Sequence, residues 1–101
     1  MIIHTVLFRL ARPLRDGAHG ALVDGLRAFA ADPPHATGPA EVQDSLGLRG
    51  DSPRTADAML VVSFPGPEVF DDYIAHPRHQ ALVSDVLEPH CEGWWSVQHA
   101  S

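Results

Sequence analysis

The stretch Ile2 to Leu10 alternates so that Ile2, His4, Val6, Phe8 and Leu10 fall on one face and Ile3, Thr5, Leu7 and Arg9 on the other, which is the period of a pleated strand. This feature constrains the fold most. A strand needs neighbours for its backbone N–H and C=O groups, and an apolar face needs a second layer to cover it. The rest of the chain must supply both.

Beyond Pro13 and Gly17, Leu22, Leu26 and Phe29 recur at helical spacing beside Ala18, Ala21 and Ala30, predicting an amphipathic helix that ends near Asp32, before Pro33. Three prolines make 32–39 a loop. Residues 40–48 read as a strand, the Asp51-Ser52-Pro53 cluster as a turn, and Ala58 to Phe64 as a strongly apolar strand pairing with it as a hairpin. After Pro65-Gly66-Pro67, a helix from about Glu68 buries Val69, Phe70, Tyr73 and Ile74. It cannot pass His76, because Pro77 disfavours the helical conformation in the residue before it and suits the first position of a new helix. Leu82, Val83, Val86 and Leu87 form the stripe of that second segment, which Pro89 and Gly93 should end, and 94–99 supplies a last strand. The order is βαββαβ with a broken second helix: an α+β, ferredoxin-like antiparallel sheet with helices on one face. At this length residues 1–101 are expected to form a single domain. The bare sheet face calls for a second subunit, so a homodimer is expected.

Composition narrows the partners. The net charge is −6 and all seven cations are arginines with no dense patch, which excludes a nucleic-acid backbone partner. Arg9, Arg12 and Arg15, near Pro13 at a strand exit, read as solvated charges. The absence of lysine and asparagine beside abundant Ala, Pro, Gly and Arg points to a GC-rich, bacterial genome. No run approaches the ~20 apolar residues of a membrane span and no leader pattern opens the chain, so a cytoplasmic location without membrane attachment is expected. Cys91, the lone cysteine, reads as a small core residue. There is no glycine-rich phosphate loop and no nucleophile elbow. His76 and His79 are spaced as two metal ligands would be, but Pro77 interrupts them and no third ligand joins them in sequence. No metal or cofactor is expected.

The opening Ile3-His4-Thr5-Val6-Leu7-Phe8-Arg9-Leu10, the strand Leu60-Val61-Val62-Ser63-Phe64 and, above all, Tyr73-Ile74-Ala75-His76-Pro77-Arg78-His79 followed by Leu82-Val83 together resemble the stress-responsive dimeric A/B barrel (Dabb) domains over nearly the whole chain. The resemblance implies two chains pairing their sheets into a dimeric α+β barrel. Within the family it brackets two functions: non-catalytic stress proteins, and polyketide cyclases of the olivetolic acid cyclase type, which close an aromatic ring of a secondary metabolite by intramolecular aldol condensation. In those cyclases a tyrosine and a histidine six residues apart act together, and they match Tyr73 and His79; the pocket histidine of the first strand matches His4. The sequence departs from that pattern at Ala58, where the cyclases place a further pocket histidine.

Aldol closure needs a base to take a proton from carbon beside carbonyls and donors to hold the enolate oxygen. A neutral His79 suits the first task and Tyr73 the second, making them the candidate catalytic pair. His4 is a second polar contact, with Val6, Phe8, Leu26, Leu60 and Val62 as the apolar substrate-binding wall. Each has a plain packing alternative: Tyr73 lies on an apolar stripe, His4 could make a structural hydrogen bond, and His76 reads as the cap of the following helix. The expected activity is therefore a cofactor-independent, cyclase-like lyase or isomerase acting on a small apolar or polycarbonyl metabolite, the alternative being a ligand-binding or stress-responsive dimer. A metabolite pocket should measure roughly 300 Å³ or more.

Overall fold

A computed structural model describes residues 1–101. The strand β1 spans Ile2–Leu10, followed by α1 (Ala18–Ala30), β2 (Glu41–Asp44), β3 (Ala58–Phe64), a short 3-10 turn (Pro67–Val69), α2 (Phe70–Ala75), α3 (Pro77–Leu82) and β4 (Cys91–Ala100). The strands form one antiparallel sheet in the order β2-β3-β1-β4, the ferredoxin-like arrangement. Register places Val6 opposite Leu60 and Ser96, and Leu7 opposite Met59 and Trp95. The even-numbered residues of β1 face the helices. Val6, Phe8, Leu10, Leu60, Val62 and Phe64 pack there against Leu22, Leu26 and Phe29 of α1. No helix is long and apolar enough to cross a membrane.

The helical region beyond Pro77 differs from expectation. Pro89 does not end it: Val83–Leu87 widens into a π turn, the Glu88 N–H bonding to the Val83 carbonyl, and a last helical turn covers Glu88–His90. A proline has no N–H to give, and the wider turn accommodates the missing bond. β4 then starts at Cys91, so Gly93 lies inside the strand. α1 lies tight against the π turn at Gly25, where an added Cβ would stand 2.7 Å from a Val86 methyl. The second strand is also shorter than predicted, four residues in place of 40–48. Gly47 and Gly50 take φ of 74° and 57°, a left-handed backbone that turns the chain out of the sheet.

Two of the three arginines at the strand exit are not solvated as expected, while Arg15 stays exposed and donates to the Pro89 carbonyl. Arg9 is buried, its Nε donating to Glu92 Oε2 at 3.0 Å and one terminal nitrogen to the carbonyls of Ser52 and Thr55 at 2.8 and 3.0 Å. Arg12 donates to both oxygens of Asp57 at 3.1 and 3.2 Å, and Asp57 also accepts the Leu10 N–H at 2.8 Å. Burial pushes the Asp57 carboxyl up, but Arg12 and the Leu10 N–H outweigh it and hold the group below the usual carboxylate range. These bonds fasten the 45–57 loop to the end of β1, satisfying charges that would otherwise be costly to bury. Cys91 is half-buried against the core, and burial pushes its thiol up to about 11.

Candidate functional site

His76 carries the break between α2 and α3. Its backbone is extended (φ −63°, ψ 138°), Pro77 occupies the first helical position, and its Nδ1 accepts the Arg78 N–H at 3.1 Å. His76 is therefore the cap of α3, as the sequence predicts. The consequence falls on its neighbours. On an unbroken helix, residues six apart would diverge by about 120° at ~100° per residue. Here the rings of Tyr73 and His79 meet edge-on with centroids 4.8 Å apart. The His4 ring, rising from β1, stands 5.8 Å from Tyr73 and 5.0 Å from Phe70.

These three side chains line one cavity of about 110 Å³ between the sheet and the broken helix, and Val6, Phe8 and Leu60 form part of its floor. Two of the expected wall residues do not. Leu26 and Val62 are completely buried and stand outside the lining. Facing inward is not the same as facing a cavity, because most of the inner face is filled by side chains of α1. In their place Ile74, Leu82, Val83 and Leu87 close the helical side, and Trp94 and Ser96 close the β4 side. The four helical residues were legible as an apolar stripe. Trp94 and Ser96 depend on the pairing of β4 with Phe8 and Val6, which no local pattern announces.

Some polar atoms of this site make no protein hydrogen bond and remain accessible, no fully buried side-chain nitrogen or oxygen going unpaired. Gln98 Nε2 lies 2.8 Å from His4 Nδ1, but His4 Nε2 and the Tyr73 hydroxyl have no protein hydrogen-bond partner, and neither is sealed from the cavity. No hydrogen bond of ordinary geometry engages the His79 ring either, although the Ile74 backbone is close enough to influence its titration.

Burial keeps all three groups uncharged. It lowers His4 to about 4, with His79 adding repulsion; it lowers His79, opposed by the Ile74 backbone; and it raises the Tyr73 phenol. At neutral pH the cavity therefore offers two neutral imidazoles and a protonated phenol in an apolar surround. The remaining histidines do not join them: His19 Nε2 faces Asp44 at 3.1 Å and His90 Nδ1 lies 2.8 Å from the Val86 carbonyl. No three His, Cys, Asp or Glu side chains come together as a metal site would require.

Fold and site together define a ferredoxin-like α+β domain with an apolar cavity under a proline-broken helix. Solved structures share this fold. A dimeric ferredoxin-like protein of unknown function from Thermobifida fusca matches with a TM-score of 0.77 at 24% identity, covering 99% of this chain and 90% of its own. A Dabb family protein with a ferredoxin-like fold from Mesorhizobium loti matches at 0.75 and 20%, covering 99% and 95%. An antibiotic biosynthesis monooxygenase matches at 0.69 and 10%, covering 100% and 98%. No family model and no curated protein sequence matches the chain.

Proposed function

We propose that residues 1–101 act as one domain that pairs with a second copy through its bare sheet face, and that each copy is a cofactor-independent acid–base enzyme for a neutral, enolisable carbonyl metabolite of polyketide type. The observation that carries the chemistry is the convergence of Tyr73, His79 and His4 on one apolar cavity with polar atoms left unpaired. A neutral His79 takes a proton from carbon beside a carbonyl. Tyr73 donates to the oxygen as negative charge develops there, where a fixed donor in a dry site counts most. Cyclisation by aldol addition, or isomerisation, follows from the enolate so formed. A strongly anionic substrate would fit poorly, since no cation lines the cavity.

The cavity is smaller than the roughly 300 Å³ of an ordinary metabolite pocket, so the reacting end of the substrate enters and the remainder lies outside it against exposed lining residues such as Ile74 and Trp94, which are 39% and 37% exposed. That volume also favours the second reading, a dimer that holds a small ligand without converting it. Ethyl acetoacetate, a neutral β-keto ester, separates the two. Catalysis of its α-proton exchange with D2O, followed by NMR, is expected from the wild type and should fall about 100-fold in His79→Ala, the usual scale of one general base. Binding without exchange would establish the second reading instead.

A further inference from the structure

His4 and Gln98 are direct cross-strand partners of β1 and β4 and share the inner sheet face. The amide nitrogen of Gln98 lies 2.8 Å from His4 Nδ1 and 2.9 Å from Ser96 Oγ, so its two hydrogens serve two acceptors. An imidazole nitrogen that accepts a hydrogen bond carries no proton, so with the amide nitrogen of Gln98 turned toward Nδ1 the proton of neutral His4 belongs on Nε2. That nitrogen has no protein partner and opens to the cavity. The ring is held in its plane from several sides, with Phe70 edge-on at 5.0 Å, Tyr73 at 5.8 Å and Phe64 tilted at 6.4 Å. With one nitrogen tied to β4 and aromatic rings around it, His4 presents one atom in one protonation state to whatever enters.

We propose that Gln98 is a positioning residue: by donating to Nδ1 it fixes His4 as the Nε2–H tautomer, making His4 a hydrogen-bond donor to the substrate oxygen and leaving proton removal to His79. The assignment of roles rests on the enolisation reading above; the tautomer does not. Two histidines in one small cavity are thereby made unequal. Tyr73 and His4 both supply donors to the developing oxyanion, and His79, with no such fixed donor aimed at it, keeps a free lone pair for carbon. Ser96, whose oxygen accepts from Gln98, keeps its own proton for a water or a second substrate oxygen at the β4 wall.

Long-range 1H–15N correlation spectra of the labelled full chain near neutral pH read the His4 tautomer directly. The wild type should show the proton on Nε2. Gln98→Glu replaces the donor with a carboxylate that can only accept, and should move the proton to Nδ1 and cut ethyl acetoacetate exchange about 100-fold, the lower end of the usual cost of losing one oxyanion donor. A wild-type spectrum with the proton on Nδ1 overturns the proposal without any variant. So does a folded Gln98→Glu protein that retains the Nε2–H form. Should the tautomer invert as expected while the wild type never exchanges the ester, the positioning role of Gln98 stands and the enolisation reading fails. Exchange by a wild type carrying the proton on Nδ1 leaves enolisation standing and removes Gln98 from its role.

Discussion

The two faces of the sheet are built from the same alternating strands, yet their fates differ. On the inner face Val6, Phe8, Leu60 and Val62 are buried by the chain's own helices, and a cavity there holds Tyr73, His79 and His4. On the outer face Leu7, Trp95 and Val97 remain 43%, 59% and 58% exposed, with Met59 and Val61 beside them in register. Large apolar patches left open on a small domain mark a surface meant for another protein, and a self-complementary pairing by a second copy covers it most simply. Alternation alone assigns residues to faces without saying what covers each one. One face stabilises the folded chain, and the other is proposed to hold the dimer.

Truncation should separate those roles sharply. Phe8→Ala empties a fully buried position and should cost about 3–5 kcal/mol in urea unfolding, through lost transfer energy and the cavity left behind. Trp95→Ser should leave the fold intact but weaken the dimer by about 2 kcal/mol, roughly 30-fold in Kd, as measured by sedimentation. Equal losses of folding stability at both positions would remove the distinction between the faces.

A smaller effect is expected from pH. The folded chain keeps His4 neutral down to about 4, against 6.5 ordinarily, so between those values the unfolded chain binds a proton that the folded chain refuses. Stability from this source is complete above pH 6.5 and is lost as pH falls toward 4. Burial shifts His79 in the same direction. Urea midpoints measured across this range should fall less steeply in His4→Gln than in the wild type.

Much of the fold was legible because its signals are local. Ile2 to Leu10 and Ala58 to Phe64 form the strands that their patterns predict, and Pro77 breaks the helix where its ring must. What escaped is non-local. Arg9 looked solvated because its partners, Glu92 and the carbonyls of Ser52 and Thr55, lie far along the chain. β2 ended early because Gly47 and Gly50 adopt a left-handed backbone that their flanking sequence does not require. In the site, the Tyr73 and His79 pairing was implied by the family resemblance, and the break between them is what lets the two rings meet. Gln98 could not be anticipated, since only the register of β4 on β1 brings it to His4. Leu26 and Val62 show the converse error, inward side chains that fill the core without reaching the cavity.

The contrast between a site on one face and an interface on the other is tested most directly by titrating labelled protein with ethyl acetoacetate and following side-chain resonances on both faces. Saturable shifts are expected at the imidazoles of His4 and His79 and the ring of Tyr73, with the Trp95 indole N–H unmoved. Shifts confined to Trp95, or none at the two imidazoles at saturating ester, would contradict a site on the inner face.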